Sequence, residues 1–168
     1  MDNNVVDGLF EALAQASFIS LKFNFRGVGQ SQGEFDRGIG EEMDAAAAIS
    51  FLSELKEVDG NRIGLAGYSA GAGFALPVGS NDARIKALAA VSPPLNMFDF
   101  GFLKGCRKPK SVISGGKDDF VSAEHFLEFC GNLPEPKECQ TVEGADHLWW
   151  GYESSLAAKV TAFFVKAL

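Results

Sequence analysis

Gly67-Tyr68-Ser69-Ala70-Gly71 stands between a short apolar stretch, Arg62–Ala66, and a run of small residues, Ala70–Val78. This is Gly-x-Ser-x-Gly at a strand-to-helix turn. A nucleophile on so sharp a turn crowds its neighbours, so small residues are needed two positions to either side. The turn puts Ser69 at a helix N-terminus, whose partial positive charge favours an oxyanion, and aims the Ala70 N–H at the same place.

The surrounding periodicities supply the rest of the architecture. Residues 4–16 carry apolar side chains at helical spacing (Val5, Val6, Leu9, Phe10, Leu13), whereas 19–25 alternate Ile19, Leu21, Phe23 and Phe25 with Ser20, Lys22 and Asn24, as a strand does. A glycine-rich loop from Arg26 to about Gly40 leads to a helix over 41–56. Beyond the serine turn the reading is strand 85–92, strand 111–114, helix 123–130, strand 138–142 and a closing helix 151–168. Strands separated by helices imply parallel pairing through right-handed crossovers, hence an open α/β sheet. Residues 93–110 form one long irregular connection, suited to a loop or small cap at the strand ends.

With 168 residues, 46% hydrophobic and 22% charged, the composition is that of one globular domain over 1–168. A net charge of −7 disfavours nucleic acid as a partner. No apolar run approaches the ~20 residues of a membrane span, and the N-terminal residues do not read as a signal peptide. Three cysteines, Cys106, Cys130 and Cys139, are odd in number and lack metal-ligand spacing, which points to reduced thiols in the cytoplasm and to no metal site.

A serine nucleophile needs a base. Of the two histidines, His125 lies inside a helix, whereas His147 follows the strand 138–142 in Gly144-Ala145-Asp146-His147, where a site residue of an open α/β sheet belongs. The base needs a carboxylate. Gly115-Gly116-Lys117-Asp118-Asp119 follows the strand 111–114 and offers two; Asp118 is preferred, and Asp119 is the alternative or a local turn residue. The order Ser69, Asp118, His147 is that of α/β-hydrolases. Gly29-Gln30-Ser31-Gln32-Gly33 also matches the serine pattern, but it sits in a loop with no helix after it, so Ser31 reads as a hydroxyl capping a backbone group.

These motifs make the chain resemble a small bacterial α/β-hydrolase of the lidless, dienelactone-hydrolase-like esterase type. The likeness runs through Met-Asp-Asn-Asn-Val-Val (1–6), Phe-Asn-Phe-Arg-Gly-Val-Gly-Gln-Ser-Gln-Gly (23–33), Gly-Tyr-Ser-Ala-Gly (67–71), Gly-Lys-Asp-Asp-Phe-Val (116–121) and Gly-Ala-Asp-His (144–147). It implies a structural Arg26 paired with Glu41, Glu42 or Asp44. Family members carry further strands ahead of the Met-Asp-Asn position, and their loop supplies a second oxyanion donor. The expectation is therefore an N-terminally truncated α/β-hydrolase fold, either a shortened reading frame or a minimal hydrolase. Its mostly parallel sheet has about five strands flanked by helices. Either 19–25 slides against 62–66, or a homo-oligomer completes the sheet in trans.

The expected function is cleavage of a small-molecule carboxylic ester by Ser69, His147 and Asp118, with Ala70 in the oxyanion hole, no cofactor, no metal and no membrane partner. Tyr68, Phe98 and Trp149, with Phe100, Phe102 and Trp150 nearby, are candidates for an apolar acyl pocket or, equally, for core cover. The alternative is a catalytically weak or inactive domain of the same fold that binds or interacts, because part of the oxyanion hole is missing.

Overall fold

The computed structural model describes residues 3–168; Met1 and Asp2, which open the first matching stretch, lie outside the described residues. Four parallel strands, β1 (Ile63–Tyr68), β2 (Ile85–Val91), β3 (Lys110–Gly115) and β4 (Lys137–Val142), lie side by side in chain order. The helices are α1 (Asn4–Gln15), α2 (Ile39–Ser53), α3 (Ala70–Asn81), the single turn α4 (Phe102–Gly105), α5 (Ala123–Gly131) and α6 (Glu153–Ala167). Local chemistry sets several of these ends. Asn3 caps α1 by accepting from the Val5 and Val6 amides, and Ser122 caps α5 by accepting from His125.

The central strands are apolar on both faces because helices cover both. Leu88, Ala90 and Val112 pack with Leu76 and Phe126 on one side, while Ala87, Ala89, Val91 and Ile113 meet Val5, Val160 and Phe164 on the other. The α1 and α6 helices therefore form one layer, and α2, α3 and α5 contribute the other. Crossing from β1 to β2 through α3 puts Gly79 against Leu65 and Leu88, where a Cβ would come within 2.5 Å of a Leu65 methyl.

The alternation of 19–25 predicts a fifth strand paired with β1, and here the structure differs. The segment is extended but belongs to no ladder, and the sheet has four strands among the described residues. Between it and β1 lies a cavity of about 230 Å³ lined by Leu9, Phe18, Phe23, Leu65, Gly71 and Phe164, among others. Burying unpaired edge groups would be prohibitive. The edge is not sealed, however. Gly64, Leu65 and Ala66 are only partly buried, and Ile19 and Leu21 are 49% and 40% exposed, so water reaches the gap.

Side chains, not a ladder, hold the segment. Lys22 pairs with Asp7 and lies over the Phe10 ring, Phe25 packs edge-on against Phe74, and Ser31 donates to the Asn24 carbonyl at 3.0 Å. Arg26 donates through Nε (3.1 Å) and Nη2 (2.8 Å) to Asp44, which also accepts the Arg26 amide. Of the three candidate partners, Asp44 is the one bonded; Glu41 instead accepts the Asp36 and Gly38 amides ahead of α2, and Glu42 faces solvent.

The Arg26 hydrogen bonds hold the Asp44 carboxyl below its ordinary 3.8, against the opposing effect of desolvation. A lowered carboxyl contributes order that is complete above the unfolded value and is lost as pH falls through the folded one. Acidification below about 3.8 should thus release 19–38 before the sheet. Asp44→Ala should do so at neutral pH, seen as faster amide hydrogen exchange across 20–38 with β2 and β3 unchanged. Uniform exchange in the variant would show that the segment is held some other way.

Candidate active site

The ends of three strands meet at Ser69. Its amide donates to the Val91 carbonyl at 2.9 Å, prolonging the β1–β2 ladder by one residue before the chain turns with φ 51° and ψ −126° into α3. Positive φ is strained for a serine and aims its hydroxyl out of the sheet end. Gly67 makes the turn possible, since a Cβ there would lie 2.5 Å from the Ala72 Cα. The same demand is absent at Gly71, whose added Cβ would meet only a Phe25 ring carbon at 3.8 Å. The second glycine of the motif faces the open gap. As the first residue of α3, Ala70 has an amide with no intrahelical acceptor.

His147 arrives from the loop after β4. Its Nε2 lies 2.8 Å from Ser69 Oγ, and its Nδ1 lies 3.0 Å from each oxygen of Asp118. With a carboxylate at Nδ1, the neutral ring keeps its proton there and Nε2 accepts from the serine hydroxyl. The two loops are braced by backbone: the Gly116 amide donates to Val142 and the Lys117 amide to Ala145, both at 2.8 Å. Asp119 is exposed, and His125 lies in the first turn of α5, with its amide bonded to Ser122. Ser31, bonded to Asn24, is spent on the backbone.

Asp118 is buried, which by itself raises its pKa. Hydrogen bonds from His147 and the Phe120 amide outweigh that and hold it below the ordinary carboxylate value. The Phe120 amide donates to Oδ1 at 2.9 Å, and Ser114 Oγ lies 3.5 Å from Oδ2. Tyr68 is pushed up to about 12 by burial and by the charges of Asp118 and Asp146, so it stays a phenol. Its hydroxyl donates to the His147 carbonyl at 2.9 Å.

The expected aromatic pocket is redistributed. Trp149 is fully buried, with its Nε1 donating to Ser92 Oγ at 3.0 Å, so it lines no pocket. Phe100 is core. Phe98 wedges against Gly73 and the Phe74 ring, 5.1 Å between centroids, and Tyr68 braces the histidine loop. Phe120 lies beside the site, its ring 4.3 Å from that of His147, and Met97, Leu148 and Trp150 are exposed on loops that follow strands. Sequence reading missed Ser92 and Ser114. Their only signal is a serine closing each of two apolar strands.

A sequence profile of the X-Pro dipeptidyl-peptidase (S15) family matches residues 4–148. The chain belongs to this family. An uncharacterized protein of Rickettsia prowazekii is 33% identical over 157 residues, which are 89% of this chain and 66% of that protein. The chain thus spans just under two thirds of that relative. Among solved structures, a protein of unknown function from Agrobacterium tumefaciens superposes with TM-score 0.89 at 30% identity, covering 98% of this chain and 77% of the other. An α/β serine hydrolase homologue from Coxiella burnetii gives 0.85 at 31% (100% and 77%). A lidless α/β serine hydrolase from Xanthomonas campestris gives 0.88 at 26% (100% and 75%). The fold is that of the α/β-hydrolases, and the likeness is to their small, lidless bacterial members. No helix among the described residues is long and apolar enough to cross a membrane.

The bracing of the two loops is tight at Gly115, where a Cβ would stand 2.3 Å from the Ala145 carbonyl oxygen and 2.8 Å from that of Asp146. Backbone cannot yield as a flexible side chain can. Gly115→Ala should therefore displace the His147 loop, lowering stability by about 1–3 kcal/mol in urea unfolding and slowing fluorophosphonate labelling of Ser69. Gly60→Ala, with nothing within 4 Å, is the control that should change neither. Equal behaviour of the two variants would contradict the steric account.

Proposed function

We propose that the protein hydrolyses small carboxylic esters through Ser69, His147 and Asp118. The observation that carries this is the unbroken contact series from Ser69 Oγ to His147 Nε2 (2.8 Å) and from His147 Nδ1 to Asp118 (3.0 Å). Ser69 attacks the acyl carbon as His147 takes its proton at Nε2. The same ring returns that proton to the departing alcohol, leaving the acyl group on Ser69 Oγ, and then activates the water that attacks this ester, releasing the acid as Ser69 regains its proton. Asp118 orients the ring and stabilises the imidazolium. The Ala70 N–H, at the positive end of α3, faces the developing oxyanion. The Phe120 ring against His147 and the exposed Leu148 next to it in the chain suit a compact apolar acyl group rather than a long enclosed chain.

Short p-nitrophenyl esters test the reading, with an X-Pro p-nitroanilide alongside because of the family's peptidase description. Ester turnover should exceed anilide turnover, Ser69→Ala should abolish it, and Asp118→Asn should lower kcat by about 10³–10⁴. The rate should fall on acidification, since only neutral His147 accepts a proton. Turnover unchanged in Ser69→Ala would sink the assignment. A wild-type protein that fluorophosphonate does not label would instead favour a non-catalytic binding domain of the same fold.

A further inference from the structure

Two aromatic rings stand against the His147 imidazole, and they are placed differently. Tyr68, its centroid 5.7 Å away, packs on the core layer of α1 and α6 and spends its hydroxyl on the His147 carbonyl. Phe120 is closer, 4.3 Å between centroids at 44°, and the residue is 46% exposed. Its backbone is fixed on both sides. The Phe120 amide donates to Asp118 Oδ1 at 2.9 Å, its carbonyl accepts from Asn96 Nδ2 at 3.1 Å, and the next residue, Val121, is buried in the core. An exposed phenyl ring on anchored backbone beside a reacting group is a preformed contact for a ligand.

The chemistry fixes which half of an ester meets that ring. On the nucleophile reading above, the acyl carbon is bonded to Ser69 Oγ and its oxyanion faces the Ala70 N–H at the start of α3. Collapse breaks the bond from that carbon to the alkoxy oxygen. This oxygen takes the proton held on His147 Nε2, so it must lie within hydrogen-bond reach of Nε2, about 2.6–3.2 Å. Nε2 belongs to the ring that Phe120 touches and is 2.8 Å from Ser69 Oγ. The phenyl ring that keeps the acyl half compact thus also meets whatever the alkoxy oxygen carries. We propose that Phe120 selects the alcohol half of the substrate, favouring esters of aromatic alcohols over those of short alkyl alcohols. A flat ring can lie edge-on or offset against the exposed phenyl ring, a contact that a methyl group cannot make.

Benzyl acetate and methyl phenylacetate are isomers that carry the same phenyl ring on opposite sides of the ester bond, and methyl acetate lacks it. The test is kcat/KM for each ester with the wild-type protein, Phe120→Ala and Phe120→Leu. Because Phe120 is half-exposed, neither variant removes core packing. Any disturbance of His147 is common to the three esters and cancels in the ratio to methyl acetate. In Phe120→Ala the benzyl acetate ratio should fall about tenfold, the upper end for one aromatic pair, and in Phe120→Leu by less, while the methyl phenylacetate ratio does not fall. A benzyl acetate ratio that holds, or a methyl phenylacetate ratio that falls as far, would overturn the proposal. If the wild-type protein hydrolyses none of the three, the nucleophile reading fails and binding decides the role of Phe120. Benzyl alcohol should then still shift the His147 ring resonances in an NMR titration, more weakly in Phe120→Ala, and ethanol should not. The same response in both proteins, or none in either, would overturn the assignment of Phe120 by itself.

Discussion

Tyr68 is paired with Val91, Val91 with Ile113, and Gly115 with Val142, so the four parallel strands finish nearly level at one end of the sheet. Everything that meets at Ser69 depends on that levelling. Ser69 and Ser92 each donate an amide to the last rung of the neighbouring strand before the chain turns away. The loops carrying Asp118 and His147 then leave from adjacent strands and are tied by backbone bonds. A shift of one residue between β2 and β3 would reverse the faces of the strand ends and part the carboxylate from the imidazole. The site is therefore as rigid as the core beneath it, in which Leu88, Ile113 and Trp149 are essentially inaccessible to solvent.

That rigidity is uneven. β2 and β3 have neighbours on both edges and helices on both faces. β1 has only β2, and its other edge opens on the apolar cavity in front of 19–25. The two sides of that cavity are held at a distance by different forces: ladder bonds and core packing behind β1, and ion pairs with aromatic edges behind 19–25. Partly exposed ion pairs and single aromatic contacts are individually weaker than a strand ladder backed by packed core. The low-stability end of the molecule is thus the segment before α2, while the strand ends that carry the candidate site belong to the tightly packed part.

Polar burial at the site follows the rule that a buried charge must be surrounded by donors. Asp118 has a ring nitrogen, an amide and the Ser114 hydroxyl around it, while Tyr68 and Trp149 spend their own polar atoms on a carbonyl and a hydroxyl. Strained backbone at Ser69, Ser92 and Trp149 is tolerated because each lies in this satisfied network, where the alternative conformation would strand a buried donor or acceptor.

Much of this was legible beforehand. The helices at 4–15 and 153–167, the strands at 63–68, 85–91, 110–115 and 137–142, and the serine turn each follow from periodicity and small-residue spacing, which are properties of neighbouring residues. The contact of Ser69 with His147 and Asp118 was anticipated because each lies just past a strand. Three things were not legible: that 19–25 is extended yet unpaired, that Trp149 belongs to the core, and that Ser92 holds the buried Trp149 indole. Alternation says that a segment has two faces but not which edge, if any, accepts it. An aromatic beside a histidine reads alike as pocket wall or as core. A lone serine after a strand has meaning only once the strands on either side are in register. Local chemistry thus determined the elements and the residues able to do chemistry, whereas which of them touch was decided by sheet register and by what is packed behind each strand end, because those depend on residues distant in the chain.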